Sequence, residues 1–139
     1  MIRDLPSNYI AGTAFTVTIS INLGSDVDVY IVKERFPIGW GISGISDSGD
    51  LTASGEIRWI FDNNLAKTVS YMVTPTASGT QTFTGDYGYQ NTLGQQTLAQ
   101  AIGGDLLINQ LTAPAQPSAL TAASLAKTQA RLNWQDNSD

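Results

Sequence analysis

The sequence predicts an all-β fold, an antiparallel β-sandwich of seven or eight strands. Three observations predict it. Apolar residues recur with a period of two rather than 3.6, the apolar runs sit roughly ten residues apart, and Gly, Asn, Asp and Ser fill the gaps. No segment reads as a convincing helix. Short strands at this spacing bury their apolar faces by stacking two antiparallel sheets.

The clearest strand is Thr13–Leu23. Phe15, Val17, Ile19, Ile21 and Leu23 share one face, and Thr16, Thr18, Ser20 and Asn22 share the other. Gly24-Ser25-Asp26 turns the chain. Val27–Arg35 is a second strand with Tyr30 and Val32 on one side and Val29 and Ile31 on the other, so both faces are partly apolar and the strand belongs in a central position. Pro37 and the glycines at 39, 41 and 44 break up the next stretch. Glu56–Phe61 alternates Ile57, Trp59 and Phe61 against Glu56 and Arg58, and Asp62-Asn63-Asn64 is a turn triplet. Val69, Tyr71 and Val73 form another inward set, Thr80–Thr84 centres on Phe83, and Leu106–Asn109 is a closing strand. Gln95–Ile102 follows a glycine and lacks a helix cap, which predicts a loop or irregular hairpin.

Composition narrows the chemistry. The chain has 139 residues, 42% apolar and only 14% charged, and small polar residues replace the missing charge: 15 Thr, 12 Ser and 13 Gly. It contains no His and no Cys, which excludes imidazole acid–base work, Ser-His-Asp and Cys-His arrangements, zinc fingers and disulfides. A net charge of −5 argues against nucleic acid as a partner. No run reaches the roughly 18 apolar residues of a membrane span, and Met1-Ile2-Arg3-Asp4 opens no signal peptide. This Thr-rich, Lys-poor texture is common among extracellular β-domains, and a secreted parent would carry its signal upstream. Residues 1–110 form the first domain and hold all of the net −5. Residues 111–118, with prolines at 114 and 117, read as an extended linker, and residues 119–139 as the start of a second domain.

The order of short motifs then becomes informative. Arg3-x-Leu5-Pro6-x-x-Tyr9-x-Ala11-Gly12 precedes the Phe15–Ile21 strand. Tyr30-x-Val32-x-Glu34, Pro37-x-Gly39-Trp40, Gly55-x-Ile57-x-Trp59, Tyr71-x-Val73-Thr74-Pro75 and Gly79-Thr80-x-Thr82-Phe83-x-Gly85 follow, closing on Gly103-Gly104-Asp105. This order resembles an immunoglobulin-like repeat module of large secreted or cell-surface bacterial proteins, over residues 3–109. The connection from Asp86 to Ala101 is longer than such modules lead one to expect, and insertions of this kind often bind ligands. The tail resembles the first strands of a fibronectin type III domain. Leu120-Thr121-Ala122 matches its first strand, Ala130–Trp134 its second with Leu132 and Trp134 inward, and Asp136-Asn137-Ser138 the following turn. The implied chain is a piece of a longer protein, with a truncated second domain.

Each candidate site competes with a structural role. Trp40 and Trp59 suit either sugar stacking or the core. Tyr87 and Tyr89 share one face of a strand-like segment and, beside Gln90 and Asn91, form a candidate glycan site; the competing role is to cover the sandwich end. Asp26/Asp28 and Asp47/Asp50, and Asp62 with Asn63 and Asn64, offer oxygens for calcium, which takes six to eight of them, or are solvated turn carboxylates. Glu34 and Glu56 are the only glutamates. A glycosidase would need such a pair across a cleft, but cross-strand Glu34–Arg58 or Lys33–Glu56 pairing is the expectation. No Gly-x-Ser-x-Gly elbow or phosphate loop occurs. An intramolecular Lys–Asn isopeptide would draw on Lys33, Lys67 and Glu34, and nothing in their spacing selects them. The sequence thus predicts a non-catalytic extracellular spacer, adhesive or accessory module joined to neighbouring domains of the same chain. The alternative is a carbohydrate-binding module attached to a polysaccharide-degrading enzyme, with a polysaccharide or cell-surface glycan as partner. Self-association through the unpaired C-terminal strands is a third expectation.

Overall fold

A computed structural model of the protein describes residues 1–112, 115–126 and 129–137. In chain order the strands are β1 (Ile2–Asp4), β2 (Asn8–Tyr9), β3 (Phe15–Ile21), β4 (Val27–Arg35), β5 (Gly41–Ser43), β6 (Asp50–Leu51), β7 (Glu56–Phe61) and β8 (Lys67–Thr74). They continue as β9 (Gln81–Thr82), β10 (Thr84–Asn91), β11 (Gln96–Ala101), β12 (Gly103–Gly104), β13 (Leu107–Gln110), β14 (Ala115–Ala126) and β15 (Gln129–Asn137). The fold is all-β, with no helix among the described residues.

Two five-stranded sheets form the sandwich. One has the order β12-β1-β3-β8-β5 and the other β11-β10-β4-β7-β6. Alternation decides what fills the space between them. Val17, Ile19 and Ile21 of β3 pair with Tyr71, Val69 and Lys67 of β8. Tyr30 and Val32 of β4 pair with Phe61 and Trp59 of β7. Val17, Ile19, Val32, Trp59, Val69 and Tyr71 are all buried, and the rings of Trp59 and Tyr71 meet across the interior at 6.3 Å. The β4 strand lies at the centre of its sheet, where its two apolar faces put it. A second aromatic group closes one end of the sandwich, with Trp40 5.0 Å from Tyr9, 6.1 Å from Phe15 and 5.9 Å from Phe83.

The first and last segments of the sandwich run side by side. Ile2 and Arg3 pair in parallel with Gly103 and Gly104, and Asn8 and Tyr9 with Asn109 and Gln110. The small sheet β2-β13-β9 continues this seam. Thirteen strands precede residue 111 rather than seven or eight. β1, β2, β5, β6 and β12 span only two or three residues each, too few to show alternation, and the predicted strand Thr80–Thr84 divides at Phe83 into β9 and the start of β10. Residues 96–101, read as a loop or irregular hairpin, are strand β11 of a β10–β11 hairpin. Its register slips between Tyr87 and Tyr89, where Ala99 takes a φ of 55°.

Strands β14 and β15 form a two-stranded sheet of their own, with Ala122 opposite Leu132. Ala115–Ser118 of the predicted linker belongs to β14, and Asp136-Asn137, read as a turn, to β15. Leu132, expected inward, is 57% exposed, because a lone hairpin has no second layer to cover it. Pro114, Ser138 and the side chain of Trp134 lie outside the described residues.

Candidate functional site

Glu34 is the decisive residue of the interior. It follows Tyr30 and Val32 at alternate positions of β4, so its carboxylate points between the sheets. Arg3, on β1 of the facing sheet, meets it with a two-pronged contact: Nε donates to Oε1 and Nη2 to Oε2, both at 2.7 Å. The Tyr71 hydroxyl of β8 donates to Oε1 at 3.0 Å. The remaining guanidinium nitrogen, Nη1, donates to the Asp105 carbonyl at 2.9 Å, and the Asp105 carboxylate accepts from Leu5 N at 3.0 Å. Both ion-pair side chains are fully enclosed. A Cβ on Gly85 would come within 2.6 Å of Glu34 Oε2 and 2.7 Å of Ile102, so a glycine admits the carboxylate here. Burial pushes the Glu34 carboxyl above its ordinary range, while Arg3 and Tyr71 pull the other way. Burial, and then the negative charge of Glu34, raise the Tyr71 phenol far above its usual value.

The cross-strand pairs expected from sequence are replaced by others. Glu34 and Glu56 occupy opposite faces of one sheet: Glu34 faces Arg3 inside, and Glu56 faces outward to Arg35 at 2.7 Å and Arg58 at 3.3 Å. They form no carboxylate pair across a cleft. Lys33 projects outward, opposite Arg58 and Asp86 rather than Glu56. It cannot meet Glu34, on the other face of the same strand. Lys67 Nζ sits over the Phe61 ring, 4.2 Å from its centroid. These placements bring no lysine to the buried carboxylate.

The candidate ligand residues converge only in part: Tyr89 and Gln90 both line one shallow groove, while Trp40, Tyr87 and Asn91 are not among its lining residues. Trp40 and Trp59 are both buried, and Trp59 Nε1 donates to the Ser46 carbonyl at 2.8 Å. Tyr87 and Tyr89 do share a face, and it is the inner one. They lie opposite Val32 and Tyr30 on β4 and pack against the core. Asn91 caps the hairpin turn, its Oδ1 accepting from Leu93 N at 3.1 Å and Gln95 N at 2.8 Å. Gln90 faces outward beside a shallow groove. Asp26 lies in the turn before β4 and Asp28 is its second residue, Asp47 sits in the β5–β6 loop with Ser46 donating to its Oδ2 at 2.8 Å, and Asp50 lies opposite Arg58. Among the described residues no three acidic side chains gather into a calcium-binding group. No helix of the described residues is long and apolar enough to cross a membrane.

Sequence reasoning missed the partner of Glu34. The signal was present: a glutamate at an inward strand position needs a cation, and Arg3 is the one basic residue near the N-terminus.

Fold and site together define a β-sandwich whose interior charges are bonded to one another. No family model matches the chain. It is 34% identical over 107 residues to an uncharacterized protein of Archaeoglobus fulgidus, across 74% of this chain and 60% of that protein. The chain thus spans about 60% of the length of this relative.

Proposed function

We propose that the chain is a non-catalytic β-sandwich module that acts as a spacer, adhesive or accessory unit of a larger secreted or surface protein. One observation carries the reading. Arg3 and Glu34, the ionisable pair fully enclosed in the interior, are bonded to each other, to Tyr71 and to the Asp105 carbonyl, so neither is left to act on a substrate. General acid–base and nucleophilic catalysis need groups that reach a bound molecule. Low charge, the hydroxyl-rich composition and the resemblance to extracellular repeat modules supply the setting. Purified protein is expected to leave a broad panel of glycans and peptides intact, and turnover of any of them refutes the proposal. A glycan array is expected to give no hit that Tyr87→Ala abolishes, because Tyr87 packs on the core. A hit lost in that variant, with its fold intact, replaces this reading with carbohydrate binding.

A further inference from the structure

The outer face of the β11-β10-β4-β7-β6 sheet carries an apolar row that the fold leaves uncovered. Ile31 lies opposite Gly88 on one side and Ile60 on the other, and Leu98 lies beside Gly88 on β11. Leu98 is 71% exposed and Ile60 67%. Between them runs a groove of about 220 Å³ whose lining includes Val29, Ile31 and Gly88. Gly88 has no positive φ, so its backbone does not demand glycine; the missing side chain leaves the recess. The volume is below the roughly 300 Å³ at which small-molecule pockets begin, and the lining is mostly apolar, with the Gln90 and Gln96 amides beside it, so few sugar hydroxyls would find partners. Its size and chemistry suit protruding aliphatic side chains.

We propose that this face docks a second copy of the chain, the two outer faces packing across a two-fold axis. A two-fold interface must be complementary to itself. This patch is so, since Leu98 and Ile60 project and Gly88 recedes within one row. Charge favours the same occupant. Lys33, Arg35 and Arg58 lie among Asp50, Glu56 and Asp86 on neighbouring positions of the sheet, and these six charges cancel. The whole net charge of −5 therefore falls on other side chains, and two acidic copies meet with little repulsion here. The outer face of the opposite sheet offers no comparable row. Thr16, Thr18, Ser20 and Thr68 cover it, and its exposed apolar residues Ile2 and Met72 stand apart on β1 and β8.

Sedimentation equilibrium on the full chain, from about 10 µM to about 1 mM, tests this. The wild type is expected to dimerise, with Leu98→Lys and Ile60→Lys each weakening association about 30-fold or more. Met72→Lys, on the opposite face, is expected to dimerise like the wild type. Both Leu98 and Ile60 are exposed, so these variants keep the fold, which circular dichroism checks. A wild type monomeric throughout overturns the proposal. So does a dimer that survives both lysine substitutions, which would place the contact elsewhere, such as the C-terminal hairpin, and so does equal loss in Met72→Lys.

Discussion

Opposite charges meet in two regions of this sandwich: between the sheets, where Arg3 holds Glu34, and on the outer face, where Arg35 bridges Glu56 and Asp86. The distances are alike, 2.7 Å inside and 2.7 and 2.8 Å outside. Surroundings separate them. The inner pair is fully enclosed, whereas the Arg35 side chain is 44% exposed. Water and salt screen the outer contacts, and such pairs contribute little. The inner pair has no water to fall back on, so each partner depends on the other. It also spans the fold, joining β1, β4 and β8 to the segment at Asp105 that returns beside β1. Length of contact therefore says little about what an ion pair does; enclosure says most.

Breaking the inner pair sharpens this contrast most. Arg3→Met strands a carboxylate between the sheets and is expected to cost about 3–5 kcal/mol in urea unfolding. The loss depends on pH. Glu34 keeps its proton to a higher pH in the fold than in the unfolded chain, so the folded state binds more protons between those two values, and stability falls as pH rises through them. Removing Arg3 removes the main forces that lower the Glu34 value, so the deficit of Arg3→Met is expected to narrow on acidification. A deficit that widens instead means the carboxyl is not buried as described.

Tyr71→Phe removes one hydrogen bond to Glu34 Oε1 while leaving both guanidinium bonds. Bonds to charged groups of this kind are worth about 1.5–3 kcal/mol, and thermal unfolding reads the loss. The same phenol makes the fold sensitive to alkali. Its folded value is raised above the ordinary phenol value, so its stabilisation is complete below the unfolded value, near 10, and is lost as pH rises beyond it. A decline of about 1.4 kcal/mol per pH unit above 10 is expected from this group, and Tyr71→Phe removes that part of the slope. On the outer face, Arg35→Ala is expected to cost at most about 1 kcal/mol, less in high salt. An Arg35→Ala loss as large as that of Arg3→Met would erase the distinction between the two regions.

Much of the sandwich was legible because β3, β4 and β7 alternate over six or more residues. The runs Val27–Arg35 and Glu56–Phe61 match their strands to the residue. Gln96–Ala101 was legible only as a loop or irregular hairpin, since its exposed side chains carry no alternation and its pairing depends on Asn91 capping the turn. The shared face of Tyr87 and Tyr89 was readable, but not that it is the inner face, which their pairing with Val32 and Tyr30 fixes. Trp40 was open between ligand platform and core until Tyr9, Phe15 and Phe83 surrounded it. The ion pair was hidden by distance along the chain. Arg3 and Glu34 are 31 residues apart and meet only because β1 and β4 lie in facing sheets.

A double-mutant cycle on Arg3 and Glu34, followed by urea unfolding, measures the dependence of each charge on the other. With Arg3→Met and Glu34→Leu each destabilising alone, the double variant is expected to recover about 3 kcal/mol relative to their sum. Losses that add to within about 0.5 kcal/mol would show that the two side chains act independently.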